Sequence, residues 1–187
     1  RYPGSTESAR SEDPAVLEET TTEDVPYLYW AAAGWLGAVS TDPFDIGLSM
    51  QATRAGALMD RAFELDPDYD DGAIHEFYIT YYAGLPEGLG GSREKAQHHF
   101  ERAVELADGR KASPYVALGT SVAIPQQEIR RFVELMEQAL EVDAEAYPQY
   151  RLINTIKQEE ARFYLDNLDR FFVVGLDETE NTEEEDE

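Results

Sequence analysis

Cysteine does not occur in these 187 residues, which excludes disulfides, thiol nucleophiles and cysteine-ligated zinc. Lysine is scarce too: Lys95, Lys111 and Lys157 stand beside twelve arginines. Against these 15 bases are 39 acids, a net charge of −24. Such a surface repels a phosphate backbone, so nucleic-acid partners are excluded, as are anionic membrane surfaces. The same field keeps a chain in solution. Because acid-rich, lysine-poor surfaces suit high salt, a saline habitat is one expectation. Long hydrophobic runs are missing as well. The longest, YLYWAAAGWLGAV at 27–39, has thirteen residues, too few to span a bilayer, and reads as a buried helix. No segment alternates convincingly as a strand. The chain opens RYPGSTES, without Met, so its natural N-terminus, with any signal peptide or lipid anchor, is expected upstream.

What is present is helical periodicity. Apolar spacing predicts helices over about 27–40, 45–65, 71–83, 92–107, 114–123, 126–142 and 148–171. Pro26, Asp71, Ser92 and Ser113–Pro114 mark starts. Breaks fall at Asp42–Pro43, Asp66–Pro67, Gly84–Pro86, Asp108–Gly109 and Pro125. Residues 1–24 read as a flexible segment, with one short helix expected at 13–19. The last eleven residues, DETENTEEEDE, contain eight acids and no base, leaving −16 for residues 1–176. Self-repulsion predicts a disordered acidic tail over 173–187.

The stretch AGLPEGLGGSREKAQHHFERA, 83–103, poses a choice between a phosphate cradle and a helix corner. A Walker loop needs G-x-x-x-x-G-K-[ST], and no Lys-Ser/Thr pair follows these glycines. A dinucleotide loop needs a preceding strand, whereas Ile74, Phe77, Tyr78, Tyr81 and Tyr82 have helical spacing. Residues 89–92 therefore read as a corner, with Ser92 as N-cap. An anion site on Ser92, Arg93 and Lys95 is the alternative.

The helices also repeat. MDRAFELD (59–66), FERAVELA (100–107) and MEQALEVD (136–143) superimpose at periods of 41 and 36 residues. Each sets a large apolar residue three before Ala62, Ala103 or Ala139. A small residue fits where helices cross closely, so these alanines are expected to be buried. Together the features predict an all-α fold of stacked antiparallel helical hairpins over 25–172, like an array of tetratricopeptide repeats, whose unit is about 34 residues. In that array 148–171 serves as the C-terminal cap.

Two helices are rich in aromatics: Tyr27, Tyr29, Trp30 and Trp35 on one, Tyr78, Tyr81 and Tyr82 on another. First helices of stacked hairpins line the concave face, where Tyr29, Trp30, Trp35, Tyr78, Tyr81 and Tyr82 would border an apolar ligand cavity. Core packing is the competing reading. His75–Glu76 is no metallohydrolase signature, because Ile79 occupies the second histidine position of HExxH. His98 and His99 point about 100° apart on a helix and do not chelate together. Neither catalytic residues, a cofactor nor a metal site is identifiable, and an enzyme is not expected. Glu94, Lys95 and Arg102 read as a solvated face, with partner contact the alternative.

PYLYWAAAGW (26–35) and GLGGSREKAQHHFERAVEL (88–106) resemble the T component of TRAP transporters, the tripartite ATP-independent periplasmic systems. The resemblance runs from about residue 25 to 172. It rests on Pro26, Leu28, Tyr29, Trp30 and Trp35, then on Gly90, Gly91, Ser92, Glu94, Lys95 and Ala96, followed by His99, Phe100, Arg102 and Ala103. It implies a periplasmic, lipid-anchored, tetratricopeptide-like protein that associates with the substrate-binding P component, forms homotrimers and holds an apolar small molecule. The membrane would be reached only through the N-terminal lipid anchor. The lipid-attachment cysteine is not among these residues, and the acidic tail departs from the family pattern. A generic tetratricopeptide-like adaptor gripping a peptide on its concave face is the alternative function.

Overall fold

A computed structural model describes residues 17–41 and 46–173. The expected acidic tail, and most of the flexible segment and of the short helix at 13–19, lie outside the described residues. Helices are α1 (Val25–Thr41), α2 (Ile46–Leu65), α3 (Tyr69–Gly84), α4 (Arg93–Ala107), α5 (Ser113–Leu118), α6 (Ile129–Glu141) and α7 (Arg151–Asp166). The fold is all-α, and no strand occurs among the described residues. The chain divides between Gly109 and Arg110 into two compact units, inside the span read from sequence as one helical domain.

In the first unit, α1 and α2 run antiparallel. Trp35, late in α1, lies beneath the guanidinium of Arg54, early in α2, at 4.5 Å. Thr20, before α1, accepts from Arg61, late in α2, at its hydroxyl (3.1 Å) and its carbonyl (2.9 Å). The start of α1 is closed by Asp24, whose carboxylate accepts from the Thr21 N–H at 2.9 Å; this is half of a capping box.

Helices α3 and α4 pair in the same sense, because Gly72 meets Ala103 at one end while Tyr82 meets Ser92 at the other. The sequence places the start of α3 at Asp71. Regular turns begin at Ala73, because Asp70, Asp71 and Gly72 are left-handed, with φ of 46°, 49° and 91°. Gly72 has a packing reason as well: a Cβ there would lie 3.2 Å from the Ala103 Cα. The glycine-rich stretch is a helix corner. The Ser92 N–H donates to the Tyr82 carbonyl at 2.9 Å, and the Ser92 hydroxyl accepts from the Lys95 N–H at 3.2 Å, as an N-cap does. A side chain at Gly91 would collide with the Leu85 carbonyl.

In the second unit α5 continues as a π-helical turn, Gly119–Ala123, the two together matching the single helix expected at 114–123. Helix α6 starts three residues later than expected, because Gln127 is left-handed at φ 58°. Helices α6 and α7 are antiparallel: Phe132 meets Tyr164 at 5.8 Å, while Gln158 donates to the Val142 carbonyl at 2.7 Å. Ala62, Ala103 and Ala139 are all fully buried, as their repeat positions require. Helix α7 leaves Leu152, Ile156 and Phe163 exposed, so its outer side is not the polar face that a terminal cap needs.

Candidate functional site

The aromatic residues singled out by sequence divide by direction. Tyr29 turns inward from α1, with its ring 5.4 Å from Tyr69 and 5.3 Å from Trp30. Trp35 also packs inward, between the core and Arg54. Trp30 does not: it is 69% exposed, and Tyr27, one turn earlier, is 53% exposed. On α3, Tyr78 is buried while Tyr81 and Tyr82 are half-buried. These three rings touch one another, with Tyr78 and Tyr82 stacked at 5.3 Å. Tyr29, Trp35, Tyr81 and Tyr82 pack against the same core cluster that contains Tyr78, so five of the six residues belong to one apolar body and Trp30 stands outside it.

The polar ends of this body are specified. The Tyr78 hydroxyl donates to the Asp60 carboxylate at 2.5 Å. Burial first, and then this bond, hold the phenol far above its ordinary range. Burial raises Tyr29 too, helped by the carboxylates of Glu76 and Asp70. Tyr81 and Tyr82 are raised by burial and by Asp60. All four are neutral hydroxyls at any physiological pH, suited to hydrogen bonding and to apolar contact, not to proton transfer.

Sequence reasoning missed the histidines. His75 on α3 and His99 on α4 approach Nδ1 to Nδ1 at 2.9 Å, one ring donating and the other accepting. Phe63, Tyr78 and Tyr82 surround them, with Tyr82 stacked on His99 at 5.5 Å and Lys95 over the outer face of Tyr82 at 4.9 Å. Burial drives both imidazoles down to about 4; Arg102 adds to this at His75, and His75 adds to it at His99. The signal available in sequence was that His75, Tyr78 and Tyr82 share one face of α3. Among the described residues no group of three His, Cys, Asp or Glu is placed to hold a metal ion. Arg102 pairs with Glu105 and Asp68 on the surface.

Fold and site together define an all-α protein of paired helices with an aromatic seam between them. The chain belongs to the TRAP transporter T-component family, whose model matches residues 1–172. The family is described as a component of a transporter. A curated relative from Treponema pallidum (strain Nichols), described as an uncharacterized protein, is 30% identical over 176 residues, 92% of this chain and 54% of the relative. The chain spans about half the length of that relative. TRAP components are associated with the membrane and the periplasm; among the described residues no helix is long and apolar enough to cross a membrane.

Proposed function

We propose that this chain is the T component that docks the periplasmic substrate-binding P component and shelters an apolar small molecule along its aromatic seam. The observation that supports the ligand is the set of half-buried rings, Tyr29 and Trp35 on α1 and Tyr81 and Tyr82 on α3, packed against one cluster. Half-buried aromatics with fixed polar ends give an apolar surface with a few hydrogen-bonding points, which is the usual lining of a ligand site. Tyr78, tied to Asp60, forms the floor, and Trp30 the solvent-facing rim. Catalysis has no part in this role. A periplasmic location with an N-terminal lipid anchor, a tetratricopeptide-like stacking of the hairpins and a homotrimeric assembly complete the proposal.

Two measurements test it. The protein purified without detergent is examined by native mass spectrometry for a retained apolar molecule, and then titrated with the apolar probe N-phenyl-1-naphthylamine. Retained mass, or probe fluorescence that falls when Tyr82→Ala is introduced, is the expected result. An empty protein that takes up no probe ends the ligand proposal. Separately, the purified P component of the same transporter should bind the chain; absence of binding at micromolar concentrations ends the docking proposal.

A further inference from the structure

Helix α1 carries no charged residue from Val25 to Thr41, in a chain of which 29% is charged. A helix that is apolar all round is normally buried all round. This one is not. Tyr27 and Trp30 are exposed, and Gly34 and Gly37 continue the same side of the helix. Large exposed aromatics rimmed by polar groups mark interaction surfaces, and Trp, Tyr and Arg dominate binding hot spots.

Gly34 strengthens this reading. Glycine inside a helix destabilises it relative to alanine. Among the described residues a Cβ at Gly34 would meet nothing within 4 Å, so packing among them gives no reason for its absence. A surface that a partner's backbone approaches closely does give one.

Charge identifies the partner. Residues 11–53 contain eight acids and neither Lys nor Arg. Glu18, Glu19 and Glu23 are exposed just before α1. The two bases of α2 are already engaged: Arg54 lies over Trp35, and Arg61 is bonded to Thr20 and Glu64. A second copy of the chain would bring its own −24. We propose that the outward face of α1, from Tyr27 through Trp30 to Gly34, docks an arginine-bearing helix of a partner protein. Guanidinium groups stack on exposed Trp and Tyr faces and pair with the acids at the rim. An apolar ridge between them lies over Gly34.

The probe is a synthetic amphipathic helix with a leucine ridge edged by arginines; the same peptide with glutamate for arginine is the control. In a Trp35→Phe background Trp30 is the sole tryptophan. The arginine peptide should shift Trp30 emission to the blue and shield it from acrylamide, and the glutamate peptide should do neither. Tyr27→Ala with Trp30→Ala should weaken binding about tenfold or more, followed by peptide anisotropy. Gly34→Leu should do the same by obstruction, with circular dichroism unchanged. These side chains are exposed, so the variants remain folded. Equal affinity in the variants, an unshielded Trp30 with peptide bound, or no binding by the wild type overturns the proposal. Absence of the apolar ligand proposed above would leave this surface intact, so the two failures are distinguishable.

Discussion

His75 and His99 join two helices through one shared hydrogen bond inside an aromatic shell. In the folded chain both have pKa values of about 4, below the ordinary 6.5. Above pH 6.5 folded and unfolded chains carry the same neutral rings, and the pair contributes its full stability. As pH falls from about 6.5 towards about 4, the unfolded chain takes up protons that the folded chain refuses, and that contribution is lost. Denaturant melts across this window should show a slope that shrinks when both histidines are replaced by glutamine. Asn154 is the second residue of this kind. Fully buried, it accepts from the Ala112 N–H at 3.0 Å and donates to the Arg110 carbonyl at 2.8 Å. Asn154→Ala would remove both bonds and should cost about 1–3 kcal/mol in a thermal or urea melt.

At the level of the helices, Ala103 packs against the Gly72 backbone, where an added Cβ would lie 3.2 Å from the Ala103 Cα. Ala103→Leu should overpack this crossing and lower stability by roughly 1–3 kcal/mol, read as a shift of the denaturant midpoint; an unchanged midpoint would mean that α3 and α4 can separate freely. The alanine was visible in the sequence because the repeats align it with Ala62 and Ala139, and the helices were visible because apolar spacing is a local property. What was not visible depends on register. Nothing in the order of residues sets His75 against His99, or Tyr78 against Asp60; the antiparallel pairing of helices does that. Likewise, periodicity shows that Trp30 and Trp35 lie on one helix but not which of them meets the core. Trp35 does, and Trp30 meets solvent. The left-handed residues Asp70, Asp71 and Gln127 escaped because only glycine advertises that conformation strongly.

For the whole molecule, charge is the dominant variable. With −24 on 187 residues, self-repulsion opposes compactness. Screening shortens from about 30 Å at 0.01 M salt to about 3 Å at 1 M, so the melting temperature should climb with NaCl in a scanning calorimeter; a flat or falling trend would show that the acids are already locally compensated. Removing residues 177–187 should change stability by less than about 0.5 kcal/mol while reducing that salt dependence. Both units are held by bonds that reach some forty positions along the chain, Arg61 to Thr20 in the first. Helices α1 with α2, and α3 with α4, close between neighbours. In the second unit, Asn154 secures Arg110 and Ala112, residues some forty positions earlier. A protein made from its N-terminus onwards therefore has an order of assembly built in. The first unit closes pair by pair as it emerges, whereas the second lacks the two Asn154 bonds to its opening turn until α7 has been synthesised. A chain halted before Asn154 would carry one finished unit and one exposed to proteases and chaperones.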